Sequence, residues 1–217
     1  MNKKMLIVGA SKGIGKVCAE YFSEKYSVTT LARTNADVLG DICKSDFRDL
    51  LIKDYKPDIV VICAGKISNS VTETLELNYV AAADLISRFY NSLDAGSVII
   101  NISSIAALMS NGHKNITQDR INYNNSKNAI SNFCICLSRS RTRDIRVTTL
   151  EPDIVMPTDF NEFTKRPVSE SRYTNYNFND FTPIKPIDIA KTIEWILAQP
   201  RYINISRITM NNHFLSK

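Results

Sequence analysis

The chain has 217 residues, 44% of them hydrophobic and 23% charged, with a formal net charge of +5. That length and balance suit one folded domain with a substantial core, and they exclude a disordered or collagen-like chain. The positive charge is not gathered into a run of Lys and Arg, so it reads as a solvated surface and no nucleic-acid partner is expected.

Cys18, Cys43, Cys63, Cys134 and Cys136 form no C-x-x-C pair and no zinc spacing, so no metal is expected. They sit mostly in apolar segments, which predicts buried free thiols in a reducing cytoplasm. The apolar run after MNKK ends at once in Gly9, too short for a signal peptide, and no later run is long enough to span a membrane.

Taken in chain order, Met5-Leu6-Ile7-Val8 is a short apolar run, Ile7 to Gly15 reads IVGASKGIG, and Ile14 to Tyr26 has helical periodicity. Strand, glycine-rich turn and helix N-terminus in that order suit a dinucleotide pyrophosphate. Glycines let backbone N–H groups approach the phosphates, and the helix dipole is positive at that end. The spacing is G-x-x-x-G-x-G (Gly9, Gly13, Gly15), with Ser11, Lys12 and Ile14 in the same turn.

Ser27 to Ala32 predicts a second strand ending at Arg33, and Ala36 to Ile42 has room for a very short third. Ser45 is the expected cap of a helix over Asp46 to Tyr55. Ile59 to Cys63 is nearly all apolar, as in strands buried on both faces, and ends at Ala64-Gly65. A long amphipathic helix is expected over Thr72 to Leu93, then a strand over Ser97 to Ile102 that closes at Ser103-Ser104. An irregular polar stretch, Ser110 to Arg120, leads to a helix over Asn122 to Arg141 and a strand over Ile145 to Leu150, which Glu151-Pro152-Asp153 breaks. Residues 156–186 show no clean period but hold Phe160, Phe163, Tyr173, Tyr176, Phe178 and Phe181. A helix over Ile187 to Ala198 and a strand over Ile203 to Met210 complete the chain.

Strand and helix alternate without a linker, which predicts an α/β fold. The expectation is a single doubly wound Rossmann-type domain over 1–217, with about seven parallel strands and helices on both faces. Such sheets bind ligands outside the carboxyl ends of their strands, at the point where the strand order reverses. The candidates are therefore Gly9 to Gly15, Arg33, Ala64-Gly65, Ser104 and the segment from Pro152 onward.

Tyr123 and Lys127 stand four apart near a helix start and so share one face. An ammonium beside a phenol favours the phenolate, so the Tyr123 pKa is expected to fall toward working pH, where a phenol can exchange a proton with an oxygen on a reacting carbon. Ser104, at a strand end, can hydrogen-bond a substrate oxygen or serve as a cap. Asn78 lies inside a helix, where an Asn is slightly unfavourable without a polar duty.

Together these residues resemble the short-chain dehydrogenase/reductase family over about residues 5 to 210. The glycine turn Gly9 to Gly15 matches, as do Asp41-Ile42 at the family's acidic adenine contact. Cys63-Ala64-Gly65 stands in place of Asn-Ala-Gly, and Asn78, Ser104, Tyr123 and Lys127 stand in place of its Asn-Ser-Tyr-Lys set. The resemblance implies that Tyr123 is the general acid/base and that Ser104 orients the substrate carbonyl. It further implies that Lys127 binds the nicotinamide ribose and tunes Tyr123, and that Asn78 holds a relay water. Tyr123, Lys127, Pro152 and Val155 join the cofactor-binding positions on the same grounds.

No acid stands at the end of the second strand to grip ribose hydroxyls. The corner reads Leu31-Ala32-Arg33-Thr34, and Arg33 and Lys12 are both placed to meet a 2′-phosphate, so NADP(H) is the expected cofactor. Four features depart from the family pattern. The step from Ser104 to Tyr123 is long, implying an insertion within Asn111 to Arg120; Cys63 replaces an Asn; Asp153 follows Pro152 where Gly is usual; and Thr158 stands one place late. Residues 156–186 occupy the place of a substrate lid.

The expected activity is an NADP(H)-dependent oxidoreductase that interconverts a small-molecule carbonyl and its alcohol. A homodimer or homotetramer built on the two long helices is expected, with no membrane partner. The alternative is a catalytically silent NADP(H)-binding regulatory or scaffold protein of the same fold. Epimerase or dehydratase chemistry on a nucleotide-linked sugar is a third reading, for which the short chain leaves little room.

Overall fold

The order of the strands follows from where the chain keeps its longest apolar runs. In the computed structural model, which describes residues 2–108, 116–140, 142–156, 158 and 182–213, the all-apolar Ile59–Ile62 (β4) lies inside a sheet and is buried on both faces. Ahead of it come β1 (Lys4–Val8), α1 (Gly13–Phe22), β2 (Ser27–Ala32), β3 (Val38–Leu39) and α2 (Ser45–Asp54). After it come α3 (Val71–Leu75), α4 (Ala82–Ser92), β5 (Val98–Ile102), α5 (Gln118–Arg139), β6 (Arg146–Pro152), α6 (Pro186–Leu197) and β7 (Arg207–Met210). A π-helical turn, Glu76–Ala81, joins α3 to α4, and a 3-10 turn, Ile105–Leu108, follows β5.

Among the described residues the sheet has seven strands in the order β3-β2-β1-β4-β5-β6-β7. Every pairing is parallel. The chain winds outward from β1 to β3, then crosses back to build β4 to β7 on the other side, so the order reverses between β1 and β4. This is the doubly wound Rossmann-type domain expected from the alternation of elements.

Successive side chains along a strand face opposite ways, so each strand feeds two cores. Leu6, Val8, Val60, Ile62, Ile99 and Val147 join Leu85, Ile86, Phe89 and Ile130 of α4 and α5. Met5, Ile7, Val61, Ile100 and Leu150 join Cys18, Phe22, Ile189 and Ile193 of α1 and α6.

Several boundaries differ from those the sequence predicts, each for a local reason. Helix α1 stops at Phe22, and Tyr26 instead closes a turn by donating its N–H to the Phe22 carbonyl. Tyr26 keeps its helical-looking spacing because its ring packs edge-on against Phe22. Ser45 is the first residue of α2 and not its cap; Lys44, in extended backbone, holds that place. The helix expected over 72–93 is α3 and α4 separated by the π turn, with Ser70 capping the start.

Helix α5 begins at Gln118, inside the stretch expected to be irregular, because its first turn is mostly polar and shows no apolar period; Gln118 Nε2 donates to Asn122 Oδ1 one turn on. Strand β6 runs on through Glu151 and Pro152. Asp153 N donates to Met210 O, so the alternation turns the donor that Pro152 lacks past Ile102, the end of β5. β7 is shorter than expected, since Ile203 N closes a turn on Pro200 O. Cys18 and Cys134 are buried, Cys43 and Cys63 half-buried and Cys136 exposed, all as free thiols. The expected lid over 156–186 lies outside the described residues except for Met156, Thr158 and 182–186.

Phe22 joins α1 to the sheet and is fully buried. Phe22→Ala is expected to destabilise the fold by about 3–5 kcal/mol, read from the shift in the urea midpoint at unchanged slope.

Candidate functional site

The glycine turn owes its shape to two close backbone approaches. Gly9 has φ +85°, and a Cβ there would sit 2.5 Å from the Ala64 nitrogen; a Cβ on Gly15 would overlap the Gly9 carbonyl oxygen. Gly13, with φ +58°, supplies the left-handed residue that turns the chain into α1. Gly9 N and Ala10 N both donate to Leu31 O, at 2.7 and 3.3 Å, which ties the turn to β2. The turn Gly9–Gly15, Ala64-Gly65 and the start of α1 therefore meet at the reversal between β1 and β4.

Lys12 is the extended N-cap of α1, and its side chain does not cap the helix. Ser11 and Ile14 are half-buried in the turn, and Lys12 is exposed beside it. Arg33 is exposed directly after β2, whereas Asp37 is turned back on that strand, accepting from Thr30 N (2.9 Å) and Thr30 Oγ1 (2.7 Å). Asp41 accepts from Cys43 N at 2.9 Å in a tight turn, and Ile42 is buried behind it. After β6, Val155 pairs with Ile184, and Thr158 Oγ1 donates to Val155 O at 3.2 Å. The Thr158 Cβ lies 3.8 Å from where a Gly13 Cβ would stand, so the chain past Pro152 returns to the glycine turn.

Next along the strand ends are Ser104, Tyr123, Lys127 and Asn78. The Ser104 hydroxyl stands close enough to the Tyr123 phenol to favour its ionised form, and it accepts from Ala106 N at 3.2 Å. Tyr123 is 7% exposed and Lys127 5%. Lys127 Nζ donates to Ile102 O at 3.0 Å and lies 5.7 Å from the centre of the Tyr123 ring. Asn78 is enclosed: its Oδ1 accepts from Lys66 N (2.8 Å), and its Nδ2 donates to Lys66 O (2.8 Å) and Ser126 Oγ (3.0 Å). Ser126 Oγ in turn donates to Tyr123 O at 2.8 Å. A Cβ on Gly65 would stand 3.4 Å from Lys127 Nζ and 3.5 Å from Asn78 Oδ1, so these two side chains meet at the loop that follows β4.

The electrostatics correct one expectation. Burial raises the Tyr123 pKa above the ordinary phenol value; the Ser104 hydroxyl and the Arg120 charge only partly offset it. Lys127 does not lower it, since Lys127 gives up its own proton first. Burial drives the Lys127 pKa down to about 8, against a smaller opposing effect of the Cys63 and Cys134 thiols. Desolvation outweighs pairing at both groups.

Asn122, Gln118 and Thr158 have structural parts in this region that the sequence reading did not assign. Asn122 Nδ2 donates to Ser68 O (3.2 Å) and Asn69 O (3.0 Å), and its Oδ1 accepts from Gln118 Nε2 (2.7 Å). Two asparagine amides, Asn78 and Asn122, thus hold the loop after β4 at both ends. Asn122 is the neighbour of Tyr123, and that adjacency was the available signal. Of the departures from the family pattern, Cys63 lies beside the Cys18 thiol of α1, and that neighbour together with burial holds its thiol well above the ordinary range. Asp153 Oδ2 accepts from Asn212 N at 3.4 Å, toward the end of β7. Residues 111–115 of the expected insertion lie outside the described residues, and 118–120 are the first turn of α5.

Residues 5–153 match the NAD dependent epimerase/dehydratase family, and the chain belongs to it. It is therefore a Rossmann-type domain that works with a nicotinamide dinucleotide, and the structures it resembles include short-chain dehydrogenases. An uncharacterized oxidoreductase of Staphylococcus aureus (strain MRSA252) is 24% identical over 96% of both chains. A 4-hydroxyisoleucine dehydrogenase complexed with NADH has a TM-score of 0.75 at 24% identity, covering 97% of each chain. BdcA in complex with NADPH has a TM-score of 0.76 at 18% identity, covering 98% of this chain and 94% of its own. The backbone fits such a cofactor at Gly13, where a Cβ would meet nothing nearer than 3.8 Å, so the first residue of α1 leaves room for a pyrophosphate to approach the helix N-terminus.

No helix among the described residues is long and apolar enough to cross a membrane.

Lys127 titrates at about 8 when folded and near its ordinary 10.5 when unfolded. Between those values the unfolded chain binds more protons, so stability rises with pH; below about 8 the full cost of the buried ammonium remains. Urea midpoints between pH 8 and 10.5 should rise more in the wild type than in Lys127→Met, which removes this contribution.

Proposed function

We propose that the protein is an NADP(H)-dependent oxidoreductase that interconverts a carbonyl and an alcohol on a small molecule, with Tyr123 as general acid/base. The observation that carries this reading is the convergence of Ser104, buried Tyr123 and buried Lys127 on the rim that holds the glycine turn. When bound, the nicotinamide supplies or accepts the hydride. The remaining chemistry falls to the chain. A raised Tyr123 pKa keeps the phenol protonated at neutral pH, which suits a donor to a carbonyl oxygen in the reductive direction. Ser104 orients that oxygen, Lys127 binds the ribose, and Asn78 holds a relay water near Lys127.

The glycine turn (Gly9, Ser11, Lys12, Gly13, Ile14, Gly15), with Ala64, Gly65, Pro152 and Val155, holds the pyrophosphate and nicotinamide side; Asp41 and Ile42 hold the adenine. The NADP(H) preference rests on Arg33 and Lys12, exposed at that corner, and on Asp37, whose carboxylate is engaged by Thr30. The proposal includes a cytoplasmic homodimer or homotetramer built on α4 and α5. A second reading, epimerase or dehydratase chemistry, is favoured by the family match itself.

Loss of reduced-nicotinamide absorbance is the test, across ketones, aldehydes, quinones and keto sugars, with a nucleotide-linked sugar assayed for product without net cofactor consumption. Tyr123→Phe should lower kcat by about 10²–10⁴-fold while cofactor affinity stays within about twofold. Tight NADPH binding with no turnover on any substrate would instead identify a regulatory or scaffold protein. Arg33→Ala should reduce the preference for NADPH over NADH by about tenfold; an unchanged ratio would refute the cofactor assignment.

A further inference from the structure

The turn proposed for the adenine end is held from beneath by an arginine. Inside the turn, Cys43 N donates to Asp41 Oδ1 (2.9 Å) and Lys44 N to Asp41 O (3.0 Å). The Ile42 carbonyl faces the interior, where Arg48 Nη1 of α2 donates to it. Arg48 is 7% exposed, a rare condition for an arginine and one that demands partners. Its Nε donates to Asp84 Oδ2 at 2.5 Å.

Asp84 lies in the first turn of α4, where a carboxylate also complements the helix dipole. The same oxygen accepts from Arg88 Nε at 2.7 Å, and Arg88 reaches on to Asp49 and to Ser45 Oγ. Burial works to raise the Asp84 pKa, but the hydrogen bonds with Arg88 and Arg48 outweigh it and hold the carboxyl below its ordinary range. One guanidinium thus connects the 41–44 turn to α4, just past the π turn that carries Asn78. A lysine could not replace it, because only the planar fork offers separate N–H groups to a carbonyl and a carboxylate at once.

We propose that Arg48 is a positioning residue for the cofactor: by holding the Ile42 carbonyl it sets the turn that receives the adenine and so governs affinity for that half of the dinucleotide. This rests on the assignment of Asp41 and Ile42 made above. A structural role alone would lower stability without distinguishing the two halves of the ligand.

The test is calorimetric titration of the wild type, Arg48→Met and Asp84→Asn with NADPH, with adenosine 2′,5′-bisphosphate and with reduced nicotinamide mononucleotide. Arg48→Met is expected to weaken NADPH and the adenosine bisphosphate about tenfold and to leave the mononucleotide within about twofold. Asp84→Asn, which loosens the hold on Arg48 while keeping its shape, should show the same split at about threefold, and decides the matter if Arg48→Met does not fold. Unchanged affinities, or an equal loss for both fragments, would overturn the proposal. A wild type that binds NADPH but shows no affinity for the adenosine bisphosphate would instead overturn the assignment of the turn.

Discussion

The approach of Gly9 to the backbone of Ala64 is the constraint on which the remaining structure depends. With φ +85° and no side chain, Gly9 lets the end of β1 lie against the end of β4; a single methyl group there would stand 2.5 Å from the Ala64 nitrogen. Gly15 then fits against the Gly9 carbonyl, so the N-terminus of α1 sits directly over the point where the strand order reverses. Parallel strands point every carboxyl end the same way, so the turn, Ala64-Gly65, Ser104 and the chain after Pro152 gather on one rim.

That rim is built from polar groups held in an apolar setting. Asn78 and Asn122 spend their amides on the backbone of Lys66, Ser68 and Asn69, fixing the loop between β4 and α3 against α5. Below them Ser103, Ser131 and Thr149 form a buried hydroxyl chain, with Ser103 Oγ also donating to Lys127 O. Satisfying backbone groups with side chains in this way makes the region rigid, because each broken bond would leave a buried polar atom unpaired. Burial has a second effect: it disfavours charge on both Tyr123 and Lys127, opposite to the simple attraction expected from their spacing.

Most of the fold was legible in the sequence because alternation and burial write themselves into composition. Ile59 to Cys63 reads as a strand buried on both faces and Ser97 to Ile102 as a strand, and they hold β4 and β5 at the centre of the sheet. The errors fall where polar residues take a structural duty that hydropathy does not record. The first turn of α5 is mostly polar, its Gln118 bonding Asn122 one turn on, and so has no apolar period. The π turn around Asn78 has no hydropathic signature, and Glu151 looked like a strand breaker although it lies buried in β6, held by Arg207 Nε and Thr209 Oγ1.

Residue type and spacing by themselves determined the α/β class, the glycine turn and the shared helix face of Tyr123 and Lys127, because the alternation of elements, the Gly9-Gly13-Gly15 spacing and the four-residue step from Tyr123 to Lys127 are local properties of the chain. Only the tertiary structure decided which of those groups touch. Tyr123 meets Ser104, Lys127 turns to Ile102, Asn78 is enclosed by Lys66 and Ser126, and Arg48 reaches under Ile42 to Asp84. Apart from the six-residue step from Arg48 to Ile42, these contacts join residues 12 to 48 positions apart, and their geometry and desolvation follow from how the layers pack, which no local pattern encodes.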